Sequence, residues 1–285
     1  MTTFRLKTIP LTHDFWGGLL LYPSEQLDAV AEAAVKFNAA LGKNNETSAV
    51  VLPTFEFIGP PLGGVIAPFG IFSFTYGAPT PPPGLFDELL AIPHTVLHEL
   101  KTRPYAGGRD SIAHLWDGLG NVYGLDQTFR VQTSAYDAHL TPATAREALD
   151  AVRNITATLG PDVATFSLSI EHMFAQTFAA AERSPLGGTP YGYDTSRPFG
   201  YVLFQLATQG NLPTARKEHA VRIFEENVDA VPSDSAEIPF YLGYAGARQD
   251  APSTFKHIDR LKAVRRKYDP RDFVRQHAGG PSFYH

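Results

Sequence analysis

The 285-residue chain contains no cysteine, which excludes disulfides, thiolate metal sites and sulfur nucleophiles. It also lacks any run near the roughly 18 apolar residues of a membrane helix. The N-terminus, Met1-Thr2-Thr3-Phe4-Arg5-Leu6-Lys7-Thr8, has no apolar core of secretory length, so a cytoplasmic protein with no membrane partner is expected. Clustered basic charge is missing too: Lys and Arg are scattered through a chain of net charge -5 and pI near 6.0, which argues against nucleic acid as a partner. No Gly-x-x-x-x-Gly-Lys-Ser/Thr loop, Rossmann fingerprint, Gly-x-Ser-x-Gly elbow or His-Glu-x-x-His helix occurs. Asn45-Glu46-Thr47 and Asn154-Ile155-Thr156 match a glycosylation sequon too short to carry weight.

What is present is ample apolar material, 44% of residues, against 19% charged, enough to bury a substantial core in one domain spanning 1–285. The clearest local signal is residues 163 to 171, where Val163, Thr165, Ser167, Ser169 and Glu171 alternate with Ala164, Phe166, Leu168 and Ile170 as on a half-buried strand. Strand character also marks residues 3–8, 16–22, 48–57, 66–77, 94–102, 127–136, 200–208 and 238–244.

Helical spacing predicts a helix over 24–41, capped by Ser24, carrying Leu27, Val30, Ala31, Ala34, Val35 and Leu41, and ended by Gly42. Helices are also predicted over 142–158, 213–229 and 254–268. The first of these opens on Thr141-Pro142 and closes at Gly160-Pro161. Strands follow one another through Pro/Gly turns without a βαβ rhythm. The expected fold is therefore α+β, a large and mainly antiparallel sheet with helices packed on one face.

Several residues carry candidate chemistry. His94 and His98, placed on a strand, lie about 13 Å apart, too far to share a metal ion, and no metal is expected. His98 beside Glu99 remains a candidate acid or base, against the simpler reading of a hydrogen-bonded sheet histidine. Arg130, Gln132, Ser134 and Tyr136 form one polar row, and Thr165, Ser167 and Ser169 another. If both rows line one cavity they supply a cation and several donors to a carbonyl-bearing substrate. The rival reading is a solvated sheet face. Phe72, Phe74 and Tyr76, and Tyr201, Leu203 and Gln205, offer apolar surface that is more often core than pocket wall.

The stretch Phe240-Tyr241-Leu242-Gly243-Tyr244-Ala245, followed by Arg260-Leu261-Lys262-Ala263-Val264-Arg265-Arg266-Lys267-Tyr268-Asp269-Pro270, resembles the terminal signature of berberine-bridge-enzyme-like flavoproteins. It reads as a short strand, then an amphipathic helix with Leu261 and Val264 inward, stopped by Asp269-Pro270. Thr3-Phe4-Arg5-Leu6-Lys7-Thr8-Ile9-Pro10 is similar to the strand by which such enzymes enter their substrate domain, and Tyr191-Gly192-Tyr193-Asp194 before a strand looks like fungal members.

The resemblance covers nearly the whole chain but only the substrate-binding half of the family architecture, with no counterpart to the flavin domain, its His attachment site or its pyrophosphate loops. Cysteinyl flavin attachment is ruled out within this chain. Gly243 and His257 stand where the family often has Asn, at positions that in the family lie toward the flavin.

The resemblance implies a small-molecule substrate and three readings. The first is a cofactor-independent enzyme of specialised metabolism performing cyclisation, pericyclic closure, isomerisation or dehydration of an apolar carbonyl-bearing compound, with His98, Arg130 and Tyr241 as catalytic candidates. Gln132, Ser134, Ser167, Ser169, Phe72, Phe74 and Gln205 would then bind substrate. The second is the substrate domain of an FAD-dependent oxidoreductase whose flavin domain lies on another chain or is missing. The third is a non-catalytic partner subunit. A homodimer is expected, because a sheet face otherwise covered by a flavin domain would present an apolar patch.

Overall fold

The computed structural model describes residues 10–44, 46–62, 66–115, 125–173, 175–183 and 188–278. Its frame is one seven-stranded antiparallel sheet in the order β4-β1-β3-β2-β6-β7-β5. The strands are β1 (Phe15–Tyr22), β2 (Ala49–Ile58), β3 (Ile66–Tyr76), β4 (Thr95–Arg103), β5 (Leu125–Ala135), β6 (Val163–Met173) and β7 (Phe199–Gln209). The helices are α1 (Leu27–Asn44), α2 (Asp87–Leu90), α3 (Pro142–Leu159), α4 (Ala175–Glu182), α5 (Thr214–Asp229), α6 (Ile258–Tyr268) and α7 (Phe273–Ala278). The α+β architecture expected from the sequence is the one observed. The predicted strand at 3–8 lies outside the described residues.

Helices α1, α3 and α5 lie side by side against one face of the sheet. The reason is in the alternation of the strands. Leu20, Phe55, Phe72, Phe74, Phe166, Leu168, Ile170 and Phe204 all point to this face, where they meet Val30, Ala34, Leu149, Ile155 and Phe224 of the helices in one core. Phe166, Phe204, Phe72 and Phe74 are fully buried. Burying each such side chain stabilises the fold by roughly 1.5–3 kcal/mol. No described helix is long and apolar enough to cross a membrane.

Local signals explain most element ends. Thr141 accepts a hydrogen bond from the Thr144 N–H, Pro142 occupies the first helical position, and α3 ends where Gly160 takes φ 51°. Two end signals fail at α1. Ser24 makes no side-chain cap and sits in a single 3-10 turn, and the helix runs past Gly42 to Asn44. Gly42 is instead a packing residue, because a Cβ there would lie 2.4 Å from Pro198 Cβ.

Two further expectations are corrected near the C-terminus. Residues 238–244 form turns, with the Tyr244 N–H donating to the Tyr241 carbonyl at 3.0 Å, and not a strand. The adjoining edge of β5 is already satisfied by side chains. Gln249 Oε1 accepts from the Val131 N–H at 3.0 Å while its Nε2 donates to the Val131 carbonyl at 2.8 Å, and Ser235 and Asp234 accept from the Thr133 and Ala135 N–H groups. In α6 no residue is buried and Val264 is 48% exposed, so only Leu261 of the expected inward pair turns toward the protein.

The two-sided allocation has a direct stability consequence. Phe72→Ala is expected to cost about 3–5 kcal/mol by opening a cavity under the helices, whereas Tyr241→Ala, 39% exposed on the opposite side, is expected to cost about 1 kcal/mol or less. Urea midpoints of the two variants against the parent protein check this.

Candidate substrate face

The face turned away from the helices carries the opposite residues of each alternating strand. On β6 these are Thr165, Ser167, Ser169 and Glu171, on β2 Thr54 and Glu56, and on β7 Tyr201, Leu203 and Gln205. Register joins them into continuous rows. Glu56 stands opposite Ser167, which stands opposite Gln205, while Thr54 stands opposite Ser169, and Glu171 opposite Tyr201. A polar track of carboxyls, hydroxyls and an amide, with Leu203 beside Ser169, thus crosses the adjacent strands β2, β6 and β7.

Beside the track sits a small aromatic cluster separate from the main core. Val131, Tyr193, Phe199 and Tyr201 are its buried centre, with Tyr191 and Tyr244 packed around it. The Tyr193 and Tyr201 hydroxyls share a hydrogen bond at 2.5 Å. Tyr191 stacks on Tyr193 at 5.0 Å and 14°, and Tyr241 stacks on Tyr201 at 5.7 Å and 19°, with Tyr244 set edge-on to Tyr241 at 5.0 Å. The turn presenting Tyr191 and Tyr193 needs Gly192. Its φ is +66°, and a Cβ would lie 2.6 Å from Lys256 Cβ, on the strand of chain whose Lys256 N–H donates to the Tyr191 carbonyl.

Two carboxyls in this face are electrostatically unusual. Burial pushes Glu56 up to about 7, against a smaller opposing contribution from its hydrogen bond with Ser167. Burial also raises Glu171, opposed by hydrogen bonds with Tyr244 and Ser169. Burial, joined by the adjacent Glu171 carboxyl, pushes the Tyr244 phenol up to about 12. Burial raises Tyr193 and Tyr201 as well, so this hydrogen-bonded pair of phenols stays protonated. The arrangement offers an acid or base near neutral pH, a carboxyl–phenol pair, and an aromatic platform, all on one wall.

The candidates drawn from the sequence divide between the two sides. Ser167, Ser169 and Gln205 lie on the polar track, and Tyr241 lies on the aromatic platform beside it. Arg130, Gln132 and Ser134 do not join them, so the two polar rows do not line one cavity. Arg130 lies in a cleft of about 370 Å³ at the β5 edge, where its guanidinium donates to both oxygens of Asp229 at 2.9 and 2.5 Å and lies 3.6 Å from Glu225. Gln132 is buried and donates to the Val228 and Val231 carbonyls at 2.7 and 3.1 Å, satisfying the open end of α5. The buried Ser134 hydroxyl accepts from the Asp234 N–H at 3.4 Å.

Phe72 and Phe74 are core residues beneath the helices, not pocket walls. His98 is on the edge strand β4, opposite Leu19 and exposed. Five strand spacings separate β4 from β7, so it stands about 24 Å from the tyrosine platform. His94 precedes β4, its Nδ1 2.7 Å from the Ile92 carbonyl. Glu56 and Glu171 escaped the sequence reading as site residues. The signal for Glu56 is a lone carboxylate between Phe55 and Phe57 in an apolar strand.

Glu56 makes a pH-dependent prediction. The folded protein holds a proton that the unfolded chain has released, so its contribution is full below about pH 4.5 and is lost as pH rises through about 7. Because the residue is only half-buried, the loss is set at about 1–3 kcal/mol. Glu56→Gln is expected to flatten this decline, giving a protein more stable than the parent at pH 8 and equal to it at pH 4 in urea titrations.

No protein-family model matches the sequence, and comparison with curated proteins finds no match. Solved structures do match. 6-Hydroxy-D-nicotine oxidase from Arthrobacter nicotinovorans aligns with TM-score 0.56 and 14% identity over 91% of this chain and 53% of its own. The VAO-type flavoprotein MtVAO615 from Myceliophthora thermophila gives 0.56 and 18% over 91% and 46%. Berberine bridge enzyme from Eschscholzia californica gives 0.53 and 11% over 95% and 56%. The chain spans about half the length of these structures. At such low identity the likeness is one of fold, and at that level this chain is a counterpart of one half of the VAO-type, berberine-bridge-enzyme-like flavoproteins.

Proposed function

We propose that this chain is the substrate-binding part of an FAD-linked oxidoreductase, with its polar, tyrosine-flanked sheet face as one wall of the substrate cavity. The observation that supports the reading is the sidedness of the sheet. On a fold matching half of several flavoproteins, one face is covered by α1, α3 and α5, and the other collects half-buried carboxyls beside a tyrosine cluster that, among the described residues, α4 meets only at its Tyr193–Phe199 end through Phe178. Such groups are costly to leave half-desolvated unless something else completes their environment.

The described residues contain no Gly-rich loop joining a strand to a helix, the device that cradles a pyrophosphate. What they fit is therefore the ring-facing or substrate-facing side of a flavin held by other residues, on another chain or in sequence beyond this one. A bound flavin supplies the redox chemistry. In this chain Tyr241 would meet the flat face of a bound ring, and the Glu171–Tyr244 pair would hold or take a substrate proton. Glu56 would do so near neutral pH.

Glu56 also favours a second reading, a cofactor-independent conversion such as isomerisation or dehydration, because a carboxyl titrating near 7 performs proton transfer with no redox partner. Flavin content separates the two. The protein purified under gentle conditions from its native cells is expected to carry FAD, detected by mass spectrometry after denaturation, on itself or on a co-purifying chain. Native protein that is colourless, free of FAD and without a partner contradicts the oxidoreductase reading and leaves the second.

A further inference from the structure

We propose that Ser167 is a specificity-setting positioning residue, which passes the charge state of Glu56 to the side-chain amide of Gln205. With Glu56 protonated, the face offers a donor to a ligand's carbonyl oxygen; with Glu56 ionised, it offers an acceptor to a ligand's hydroxyl. The inference rests on the reading of this face as the substrate side and deepens it, by naming what one position of the wall selects.

The geometry is a single row across five strands. Phe69 of β3 stands opposite Glu56 of β2, Glu56 opposite Ser167 of β6, Ser167 opposite Gln205 of β7, and Gln205 opposite Phe129 of β5. Directly opposite residues of antiparallel strands keep their Cβ atoms about 4.5–5.5 Å apart, within reach of a long side chain. Glu56 hydrogen-bonds with Ser167. Along its own strand Gln205 has Leu203 and Ala207 on this face, and Glu56 has Thr54 and Ile58. Two aromatic rings thus close the row at its ends, and the Ser167 hydroxyl stands directly opposite both the carboxyl and the amide. Among the described residues no charged side chain lies directly across from Glu56: β3 offers Phe69, and β6 offers Ser167 between Thr165 and Ser169. Glu171, the other carboxyl of this face, is four residues along β6 from Ser167, about 13 Å away.

A serine hydroxyl has a single proton to donate. Beside an ionised carboxyl, which only accepts, Ser167 donates that proton to Glu56 and accepts from the Gln205 NH2, so the amide oxygen turns outward. A protonated carboxyl needs an acceptor for its own O–H. With Phe69 on its other side, Glu56 donates to Ser167, whose proton then goes to the amide oxygen, and the Gln205 NH2 turns outward. Burial raises Glu56 to about 7, which sets the pH at which the row reverses. An outward NH2 donates to a ketone, an ester or an enone, whereas an outward oxygen accepts from an alcohol or a phenol.

NMR of the whole isotope-labelled protein tests this on the Gln205 side-chain amide, identified by its loss in Gln205→Met. Its resonances are expected to titrate with the midpoint of the Glu56 carboxyl, to stop titrating in Glu56→Gln and in Ser167→Ala, and to titrate again in Ser167→Thr, which restores the hydroxyl. Ser167→Val, a good strand former, takes the place of Ser167→Ala if that variant does not fold. Benzylideneacetone and its allylic alcohol, which differ only at the oxygen-bearing carbon, supply a second readout. The ratio of ketone to alcohol affinity is expected to fall about fivefold between about pH 5.5 and about pH 8.5 in the parent and to stay level without the Ser167 hydroxyl. An amide that ignores pH overturns the proposal, as does one that titrates unchanged in the variants lacking the hydroxyl. Failure of both ligands to bind at millimolar concentration, or a ratio that does not move with pH, overturns Gln205 as the ligand contact and the proposal with it. Neither readout needs a flavin. A titrating amide in native protein free of FAD therefore sinks the oxidoreductase reading alone, and a fixed amide in flavin-bearing protein sinks this proposal alone.

Discussion

The structure depends on the packing of α1, α3 and α5 against a single face of the sheet. That contact takes every second residue of β1, β3, β2, β6 and β7 into one core. The remaining residues have no choice of direction, since a strand alternates its side chains. A one-residue slip of β6 would drive Ser167, Ser169 and Glu171 under the helices and expose Phe166, Leu168 and Ile170. The core therefore sets the composition of the opposite face as strictly as it sets the fold.

How much of this was legible in the sequence varies by strand. For β6 the alternation over residues 163–171 marks the strand and its polar face, and the strand runs on to Met173. For β5 the same kind of pattern misleads. Arg130, Gln132 and Ser134 alternate as a solvated or cavity-facing row would, yet they turn to the helix side. Their partners there are Asp229, Val228, Val231 and Asp234, about a hundred residues away in sequence. A polar row is indistinguishable from a row that caps a distant helix end until the fold brings that end to it.

The segment around Tyr241 shows the same limit from another direction. Its aromatic content resembles a strand, but the β5 edge beside it is occupied by the side chains of Gln249, Ser235 and Asp234, so its backbone closes on itself in turns. The turn places Tyr241 on Tyr201 and Tyr244 on Glu171. Residues 191–193, notable in sequence only as a family-like motif, become the other half of the same platform. The site is thus assembled from four stretches, β2, β6, Tyr191 to Gln205, and the turn around Tyr241, with the tyrosine stack joining the last two.

Hydroxyl-radical footprinting of this chain by itself, free of flavin and of any co-purifying chain, probes the sidedness of the sheet most directly, because β7 places Leu203 and Phe204 side by side in sequence and on opposite faces. The account predicts labelling of Leu203, Tyr241 and Tyr244, and protection of Phe204, Phe72 and Phe74. Equal labelling of Leu203 and Phe204, or labelling of Phe72 and Phe74 with Tyr241 protected, would contradict it.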